Sequence, residues 1–398
     1  MFLRLCSPSQ QNSFFLFGAR GTGKTTFVTQ QFLIDIPPER IHYIDLLDSD
    51  QEEIYLRSPK LIESLAGVKK GAIEWIVLDE VQRIPRLLNH VQRMITQNGQ
   101  KFILLGSSAR KLKKSGANLL GGRAWVENLF PFSSFELGGQ FNLTECLRFG
   151  SLPALLSLKN ESDKIAHLRA YCRVYMKEEV LQEQLVRKIE PFREFLGVSA
   201  QASGEVVNFS HIGQDVGADP KTVETYFQIL TDTWLGFILP SYHRSVRKAQ
   251  IMHPKFYWFD LGVKHMLEGI LDAPITPASS QYGRAFEHWV IQECFRLNET
   301  FKTDYQLSYL RTKQDHEIDL ILSKGRQPPI PIEIKSGKNL DEVKIRKFSR
   351  LCHAIGAKKS YWLSLHEQAL DIEGVTCLRW DHGLQEIFSS PKLINPLI

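Results

Sequence analysis

A glycine-rich segment near the N-terminus has the residue types and spacing that bind nucleotide phosphates. It reads Gly18-Ala19-Arg20-Gly21-Thr22-Gly23-Lys24-Thr25-Thr26 and lies between a predicted buried strand, Phe14–Phe17, and a predicted helix. Glycines let backbone N–H groups close around phosphate oxygens, and a helix N-terminus adds partial positive charge. We expect Lys24 to neutralise the β- and γ-phosphates and the Thr25 hydroxyl to ligate Mg²⁺. Residues 18–26 therefore predict a Mg²⁺-dependent site for ATP or GTP.

A second apolar run ends in two carboxylates. Trp75–Leu78 is followed by Asp79 and Glu80, as in the acidic strand that accompanies such a loop. Asp79 would hold Mg²⁺ through water, whereas Glu80 would orient and deprotonate the attacking water. The presence of Glu80 predicts hydrolysis in addition to binding.

The C-terminal third contains four charged residues that match the PD-(D/E)xK nuclease pattern. Glu287 lies on a predicted helix, Asp319 on a predicted strand, and Glu333 and Lys335 on one face of the next strand, because strand side chains repeat every two residues. Such carboxylates hold Mg²⁺ while the lysine polarises or deprotonates water. We predict a candidate second Mg²⁺ site here. Cleavage of DNA, binding without cleavage, a relic of a site, and ordinary surface ion pairs all remain open.

The middle of the chain predicts a winged helix. A short helix capped by Ser210 leads through a turn at Gly217 into a second helix that starts at Pro220, and two apolar segments follow at 235–239 and 256–259. Residues at the start of the second helix and in the wing would contact DNA phosphates: Lys221, Thr222, Arg244, Arg247 and Lys248. The alternative is a module for assembly or spacing.

Length and composition limit the class of protein. A chain of 398 residues is long for one core, so we expect two or three domains. The net charge is only +5, but residues 101–126 contain six Lys or Arg and no acid, and residues 240–257 contain four Lys or Arg and no acid. Such patches fit a DNA partner, with a solvated charged face as the alternative. No apolar run reaches the ~20 residues of a membrane span, and we find no signal peptide. The six cysteines are scattered along the chain, which predicts reduced thiols, no zinc site and a cytoplasmic location.

Several motifs together resemble the bacterial and archaeal AAA-type ATPases that carry a C-terminal DUF4143 domain. They are GARGTGKTT, WIVLDEVQ, FILLGSSARKL, GGRA and the segment LFPFSSFE that ends at Glu136. The resemblance implies an α/β fold with a P-loop AAA-type core over residues 1–140, a helical lid over 141–195, a winged helix over 196–262 and an α/β PD-(D/E)xK nuclease-like domain over 263–398. We expect the segment 361–384, with alternating strands and turns, to complete the last sheet.

The same resemblance implies roles for two further residues. Ser107, at the end of a predicted strand, would sense the γ-phosphate and position water. Arg123 would reach the phosphate of a neighbouring subunit, which implies a homo-oligomer with a hexamer as one form. An ordinary surface arginine is the alternative reading of Arg123.

These features lead to one principal hypothesis and two alternatives. The principal one is an ATP-binding and ATP-hydrolysing AAA-type ATPase that moves or remodels duplex or branched DNA. The first alternative is an ATP-regulated, metal-dependent endonuclease centred on Asp319, Glu333 and Lys335. The second is a nucleotide-controlled assembly or switch protein.

Overall fold

The chain divides into two compact units. The computed structural model describes residues 2–67, 73–108, 112, 120–175, 189–243, 253–312 and 316–388. Unit 1 comprises Met1–Phe132 and Asp232–Leu235, and unit 2 comprises Ser133–Thr231 and Gly236–Ile398. No helix within these described ranges combines the length and apolar character that crossing a lipid bilayer requires.

Unit 1 is built on a five-stranded parallel sheet with the order β2-β3-β4-β1-β5. Its strands are β1 (Ser13–Phe17), β2 (Ile41–Asp45), β3 (Trp75–Asp79), β4 (Lys101–Gly106) and β5 (Ala124–Asn128). Alternate residues of the central strands enter two apolar clusters: Phe15 and Leu78 lie in one, and Phe14 and Val77 in the other. Burial on both faces explains why these strands read as continuous apolar runs.

The helices of unit 1 begin where strands end. They are α1 (Lys24–Phe27), α2 (Ser49–Arg57) and α3 (Leu87–Asn98), with a π-helical turn over Val28–Phe32 and 3₁₀ turns over Pro38–Arg40, Pro59–Gly67, Val81–Arg83 and Leu120–Gly122. Because the sheet is parallel, β1, β3 and β4 end at the same edge. The predicted nucleotide residues follow these three strand ends.

Unit 2 begins with a helical segment. Its helices are α4 (Ser134–Leu137), α5 (Leu143–Phe149), α6 (Pro153–Leu156), α7 (Glu161–Ala170) and α8 (Ile189–Gln201), with a 3₁₀ turn over Gly138–Gln140 and a π-helical turn over Tyr171–Tyr175. A buried carboxylate joins α4 to the later helix Ser280–Phe301: Glu293 accepts hydrogen bonds from Ser134 N (2.9 Å) and Ser134 Oγ (2.6 Å). Arg296 balances this carboxylate at 3.2 Å. The helix that carries Glu287 is thereby anchored.

A helix-turn-helix and a hairpin follow. They consist of α9 (Phe209–Val216), α10 (Pro220–Asp232), β6 (Gly236–Leu239) and β7 (Lys255–Trp258), and the two strands pair antiparallel. The predicted N-cap is wrong. Asn208, not Ser210, caps α9, because its side-chain oxygen accepts from the N–H groups of Ser210 (3.1 Å) and His211 (3.2 Å). An Asn side chain caps a helix as well as Ser does, and here it stands one residue before the first helical turn.

The C-terminal part of unit 2 contains a six-stranded mixed sheet with the order β12-β13-β11-β10-β9-β8. Its strands are β8 (Gln306–Arg311), β9 (Glu317–Ser323), β10 (Ile330–Ile334), β11 (Tyr361–Ser364), β12 (Leu370–Ile372) and β13 (Val375–Arg379). The helices are α11 (Leu261–Glu268), α12 (Ser280–Phe301), α13 (Glu342–Ala354) and α14 (Trp380–Phe388). The predicted strands after residue 361 do complete this sheet, but the segment from Trp380 onward is helical, with Trp380 and Leu384 buried.

Candidate functional site

The predicted phosphate-binding loop, residues 18–26, runs from the end of β1 into the first residues of α1. Gly23 adopts φ 87° in the left-handed region, where a side chain is strained. A Cβ atom at Gly18 would lie 2.2 Å from the carbonyl oxygen of Leu129, so the chain can pass here only without a side chain. The Thr22 hydroxyl donates to the Ala19 carbonyl at 2.8 Å and closes the loop on itself.

Lys24 turns its side chain into the loop. Its Nζ donates to the carbonyl oxygens of Gly18 (2.8 Å) and Ala19 (3.2 Å), and the residue is buried. Arg20, Thr25 and Thr26 are exposed. The ammonium group is therefore held inside the ring of backbone atoms that the sequence predicts to surround phosphate.

Thr25 and Asp79, the predicted Mg²⁺ ligands, lie within hydrogen-bonding distance of each other. Thr25 Oγ1 donates to Asp79 Oδ2 at 2.8 Å, and Asp79 Oδ1 accepts from Glu80 N at 3.0 Å. A hydroxyl and a carboxylate suit Mg²⁺, which usually takes one or two protein oxygens together with water and substrate phosphates. The donor set at the ends of β3 and α1 therefore fits this ion.

Tyr43 is a residue of this site that the sequence did not reveal. Its hydroxyl also donates to Asp79 Oδ2, because β2 pairs with β3 in parallel register. Burial raises the pKa of Tyr43, and the hydrogen bond to Asp79 raises it further. Tyr43 therefore remains protonated and keeps its donor on Asp79. A polar ring in a predicted β-strand is too common a feature to have indicated this contact.

Glu80 and Ser107 are linked by a third side chain. Gln82 Nε2 donates to Glu80 Oε2 and, at 3.2 Å, to Ser107 Oγ. Gln82 and Ser107 are both buried, and Glu80 is half-buried. The structure thus links Glu80, which the sequence predicted to act on water, to Ser107, which it predicted to contact the γ-phosphate.

Arg123 lies apart from these contacts. It is exposed, with Nε 3.0 Å from Thr96 Oγ1 and Nη1 3.4 Å from the Leu120 carbonyl oxygen. Both contacts are made within its own chain. Its predicted action on a neighbouring subunit stays a prediction.

Two of the predicted DNA-binding residues, Lys221 and Thr222, lie in the part of the chain that the structure describes. Lys221 is exposed in the first turn of α10. Thr222, beside it, is engaged in the helix cap: Asp219 accepts from Thr222 N at 3.0 Å and from Thr222 Oγ1 at 2.5 Å. Arg244, Arg247 and Lys248 lie outside the described residues.

Asp319, Glu333 and Lys335 come together at the β9–β10 hairpin. Lys335 Nζ lies 3.0 Å from Asp319 Oδ2 and 2.6 Å from Glu333 Oε1. Asp319 Oδ2 also accepts from Ile334 N at 2.7 Å, which fixes the carboxylate against the neighbouring strand. The antiparallel pairing of β9 and β10 accounts for this arrangement.

Lys255 and Glu317 extend this group. Lys255 Nζ forms an ion pair with Glu317 and lies 4.0 Å from Glu287 Oε1, and only 5% of the Lys255 side chain is exposed. Glu317 precedes Asp319 by two residues on β9, so the period of a strand could have indicated it. Lys255 gave no such signal, because it lies on β7, far away along the chain. We call these residues the charge cluster: Lys255, Glu287, Glu317, Asp319, Glu333 and Lys335.

Burial dominates the electrostatics of the charge cluster. It raises the pKa of Glu287 and of Glu333 to about 8, and the negative charge of Asp319 adds to both shifts. Burial opposes the charge of Lys335, but Asp319 and Glu333 outweigh it and raise its pKa. Among the described residues, no three His, Cys, Asp or Glu side chains are disposed to hold a metal ion. The second Mg²⁺ site therefore stays a prediction.

Three family matches cover most of the chain. Residues 10–138 match an AAA domain, residues 140–273 match a domain of unknown function, DUF8612, and residues 282–381 match another, DUF4143. The first match contains the phosphate-binding loop, Asp79, Glu80 and Ser107. Within the charge cluster, Lys255 falls in the DUF8612 match and the other members in the DUF4143 match.

Individual proteins show more distant similarity. The uncharacterized protein Rv2008c of Mycobacterium tuberculosis is 24% identical over 255 residues, and MJ1544 of Methanocaldococcus jannaschii is 20% identical over 358 residues. These alignments cover 64% and 84% of this chain, and 57% and 77% of the relatives. The chain thus spans little more than half the length of the mycobacterial relative.

Two solved structures of the replication initiator DnaA are also similar to this chain. DnaA bound to AMPPCP and single-stranded DNA has a TM-score of 0.27 at 15% identity, over 56% of this chain and 82% of that one. Domain III of DnaA from Thermotoga maritima has a TM-score of 0.26 at 14% identity, over 44% and 80%.

The α/β fold predicted from the sequence is confirmed by the parallel five-stranded sheet of unit 1 and by the sheet-containing C-terminal part. The AAA-domain match contains the predicted phosphate-binding loop at the edge of that parallel sheet. The chain thus combines an AAA domain over residues 10–138 with a DUF4143 domain over residues 282–381, which confirms the predicted resemblance to AAA-type proteins that carry a C-terminal DUF4143 domain.

Proposed function

We propose that the chain hydrolyses ATP at residues 18–26 and uses the cycle to move or remodel DNA. The observation that supports hydrolysis best is the convergence of Thr25, Asp79, Glu80 and Ser107 at one edge of the parallel sheet. Nucleotide binding requires only the phosphate-binding loop. Hydrolysis also requires a group that activates water, and a carboxylate next to the metal ligands can do this.

Each residue has a distinct part in this proposal. Lys24 binds the β- and γ-phosphate oxygens, and the backbone N–H groups of the loop hold the rest of the phosphate chain. Thr25 and Asp79 would hold Mg²⁺, which neutralises phosphate charge when bound. Glu80 orients a water molecule and accepts its proton, while Ser107 contacts the γ-phosphate.

The DNA part of the proposal depends on unit 2. A helix-turn-helix followed by an antiparallel hairpin is a recurrent DNA-binding arrangement, and Lys221 is exposed at the start of its second helix. Residues 240–257 add four Lys or Arg without an acid. A homo-oligomer in which the exposed Arg123 acts on a neighbouring subunit is part of the same proposal.

The deciding experiment measures ATP turnover of the wild type, Glu80→Gln and a control, Glu53→Gln, without DNA and with single-stranded, duplex and four-way-junction DNA. Glu53 is exposed on α2 with a side chain that is 61% accessible. We expect Glu80→Gln to lower kcat by about 10²–10⁴-fold with ATP affinity retained, and the control to match the wild type. Wild-type protein without turnover would refute hydrolysis, and turnover that ignores every nucleic acid would refute the DNA part.

A second experiment addresses the DNA contact. Lys221→Ala should weaken binding to all DNA sequences alike. It should also reduce by about one the slope of the logarithm of the binding constant against the logarithm of the salt concentration, because one fewer counterion is released. Lys344→Ala is the control, because the Lys344 side chain is 66% exposed on helix α13, far from Lys221 along the chain. Equal affinities of the two variants across a salt titration would exclude Lys221 from the interface.

A metal-dependent endonuclease is the second candidate function. The contacts of Lys335 with Asp319 and Glu333 favour it, since this is the pairing that the nuclease pattern requires. The wild type should cut DNA with Mg²⁺ or Mn²⁺, Asp319→Asn should not, and Asp272→Asn, at an exposed position, should cut normally. If the wild type leaves linear, circular and branched DNA intact with either metal, the nuclease function is excluded.

A further inference from the structure

We propose that Gln82 is a positioning residue for ATP hydrolysis, whose side-chain amide holds the Glu80 carboxylate and the Ser107 hydroxyl in one hydrogen-bonded unit. This inference rests on the proposed ATPase activity. Gln82 lies in the 3₁₀ turn Val81–Arg83, directly after the strand that ends in Asp79. It is 5% exposed, which is rare for a glutamine.

The two N–H groups of the Gln82 amide have two acceptors. One is Glu80 Oε2 and the other is Ser107 Oγ at 3.2 Å. A primary amide has two donors, so its nitrogen is fully used by these partners. A bond to a carboxylate is charge-assisted and therefore stronger than one between neutral groups. The ends of β3 and β4 are joined through this one nitrogen.

The two acceptors set the orientation of the amide. Gln82 Nε2 faces Glu80 Oε2 and Ser107 Oγ. If the amide were reversed, its oxygen would face the Glu80 carboxylate, and two acceptors would repel each other. The contact with Glu80 therefore directs the amide nitrogen toward both partners.

Gly106 provides the space for the amide. A Cβ atom at Gly106 would lie 2.7 Å from Gln82 Oε1 and 3.5 Å from a ring carbon of Phe17. A side chain at the last residue of β4 would therefore displace the Gln82 amide from this position.

The Glu80 backbone is held independently of its side chain. Glu80 adopts φ 57°, a left-handed conformation that is unfavourable for a glutamate, and its N–H donates to Asp79 Oδ1 at 3.0 Å. Strain of this kind concentrates at functional sites. With the backbone held by Asp79 and one carboxylate oxygen by Gln82, the other carboxylate oxygen can accept the proton of the attacking water.

Because Ser107 shares the amide, a shift of the Ser107 hydroxyl on contact with the γ-phosphate would be transmitted to Glu80. Contact with the γ-phosphate and activation of water would then be coupled. The predicted signature is a loss of kcat without a matching change in KM when the amide is removed.

The test compares Gln82→Leu, Gln82→Glu, Gly106→Ala and a matched control, Gln97→Leu, at an exposed position of α3. Thermal unfolding and the binding of a fluorescent ATP analogue show which variants fold and bind. We expect Gln82→Leu to lower kcat by about 100-fold, the effect of misplacing a reacting group by about 1 Å, with KM nearly unchanged. Gly106→Ala should lower kcat in the same direction, and the control should match the wild type.

Gln82→Glu provides the readout that a purely structural role would not change. Its carboxylate keeps the shape of glutamine, lacks the donor at neutral pH and repels Glu80; protonation restores one donor. The kcat of this variant relative to wild type should therefore rise as the pH falls.

The outcomes separate the two proposals. Wild-type protein that does not hydrolyse ATP refutes the ATPase proposal itself. A hydrolysing wild type with Gln82→Leu at the same kcat overturns the role of Gln82. If Gln82→Leu fails to fold, a ratio of Gln82→Glu to wild-type kcat that does not change with pH overturns it equally.

Discussion

Replacing Lys255 with methionine removes a buried ammonium group from between two carboxylates of the charge cluster. Lys255 pairs with Glu317, lies 4.0 Å from Glu287 Oε1 and is 5% exposed. Methionine keeps most of the length and apolar character of the lysine stem, so the change is mainly one of charge. The variant therefore isolates the contribution of one residue of β7 to a group of residues otherwise carried by α12, β9 and β10.

The size of the expected loss of stability follows from the burial of Lys255. Removing one partner of a buried ion pair costs about 3–5 kcal/mol, because the other partner is left without compensation. The side chains of Glu287 and Glu317 are 28% and 32% exposed, so water relieves part of the loss. The ammonium also lies 5.3 Å from the Tyr309 ring centroid, a contact of about 0.5–1 kcal/mol. We expect the free energy of unfolding to fall by about 3 kcal/mol at neutral pH.

The loss should grow as the pH rises through about 8. Burial raises the pKa of Glu287 to about 8, so this group becomes a carboxylate that needs the ammonium group only as the pH rises through that value. Glu317→Gln in the Lys255→Met background should restore part of the stability, since it removes the carboxylate that lost its partner.

Urea unfolding followed by circular dichroism gives the free energy, and hydrogen exchange of β9 and β10 assigns the transition to unit 2. Lys344→Met is the control, because the Lys344 side chain is 66% exposed, and its effect should stay within about 0.5 kcal/mol. A Lys255→Met loss as small as that of the control, or one independent of pH, would refute the reasoning.

Three further predictions concern other positions. Tyr43→Phe removes one of two hydroxyl donors from Asp79 and should raise the Mg²⁺ concentration needed for half-maximal ATP turnover by about 10-fold or more; an unchanged Mg²⁺ titration would contradict this. Burial raises the pKa of Glu287 from 4.5 to about 8, so its contribution to stability is full below 4.5 and is lost as the pH rises to about 8. Glu287→Gln should therefore gain stability relative to wild type across that range in urea unfolding, and parallel curves would disprove it. Asn208→Ala should cost about 1 kcal/mol in the same assay through loss of the cap, whereas Ser210→Ala should change little; the reverse order would reinstate Ser210 as the cap.

The two groups of candidate residues differ in their electrostatic design. Around the phosphate-binding loop, Lys24 is held by backbone carbonyls, which phosphate oxygens can replace as its acceptors. In the charge cluster, each lysine is paired with carboxylates. A substrate or metal ion that binds there would have to compete with those pairs.

Local patterns determined much of this protein in advance. The phosphate-binding loop is contiguous, so its glycines, Lys24 and Thr25 were visible together in the sequence. The strands before the loop and before Asp79 were visible as apolar runs, because a parallel sheet is buried on both faces. The Glu-x-Lys motif at Glu333 and Lys335 was also visible in the sequence. All these signals lie within a few neighbouring residues.

Contacts between elements were decided only by the tertiary structure. Tyr43 reaches Asp79 through the pairing of β2 with β3, Gln82 reaches Ser107 across two strand ends, and Lys255 enters the charge cluster from β7. Strand order, register and side-chain direction create such contacts, and no local spacing encodes them. The cap of α9 depended on a finer difference, since Asn208 and Ser210 both have capping side chains and only the backbone shows where the first turn begins. Residue types and short spacings thus determined which chemistry is available, and packing decided which side chains hold the reacting groups in place.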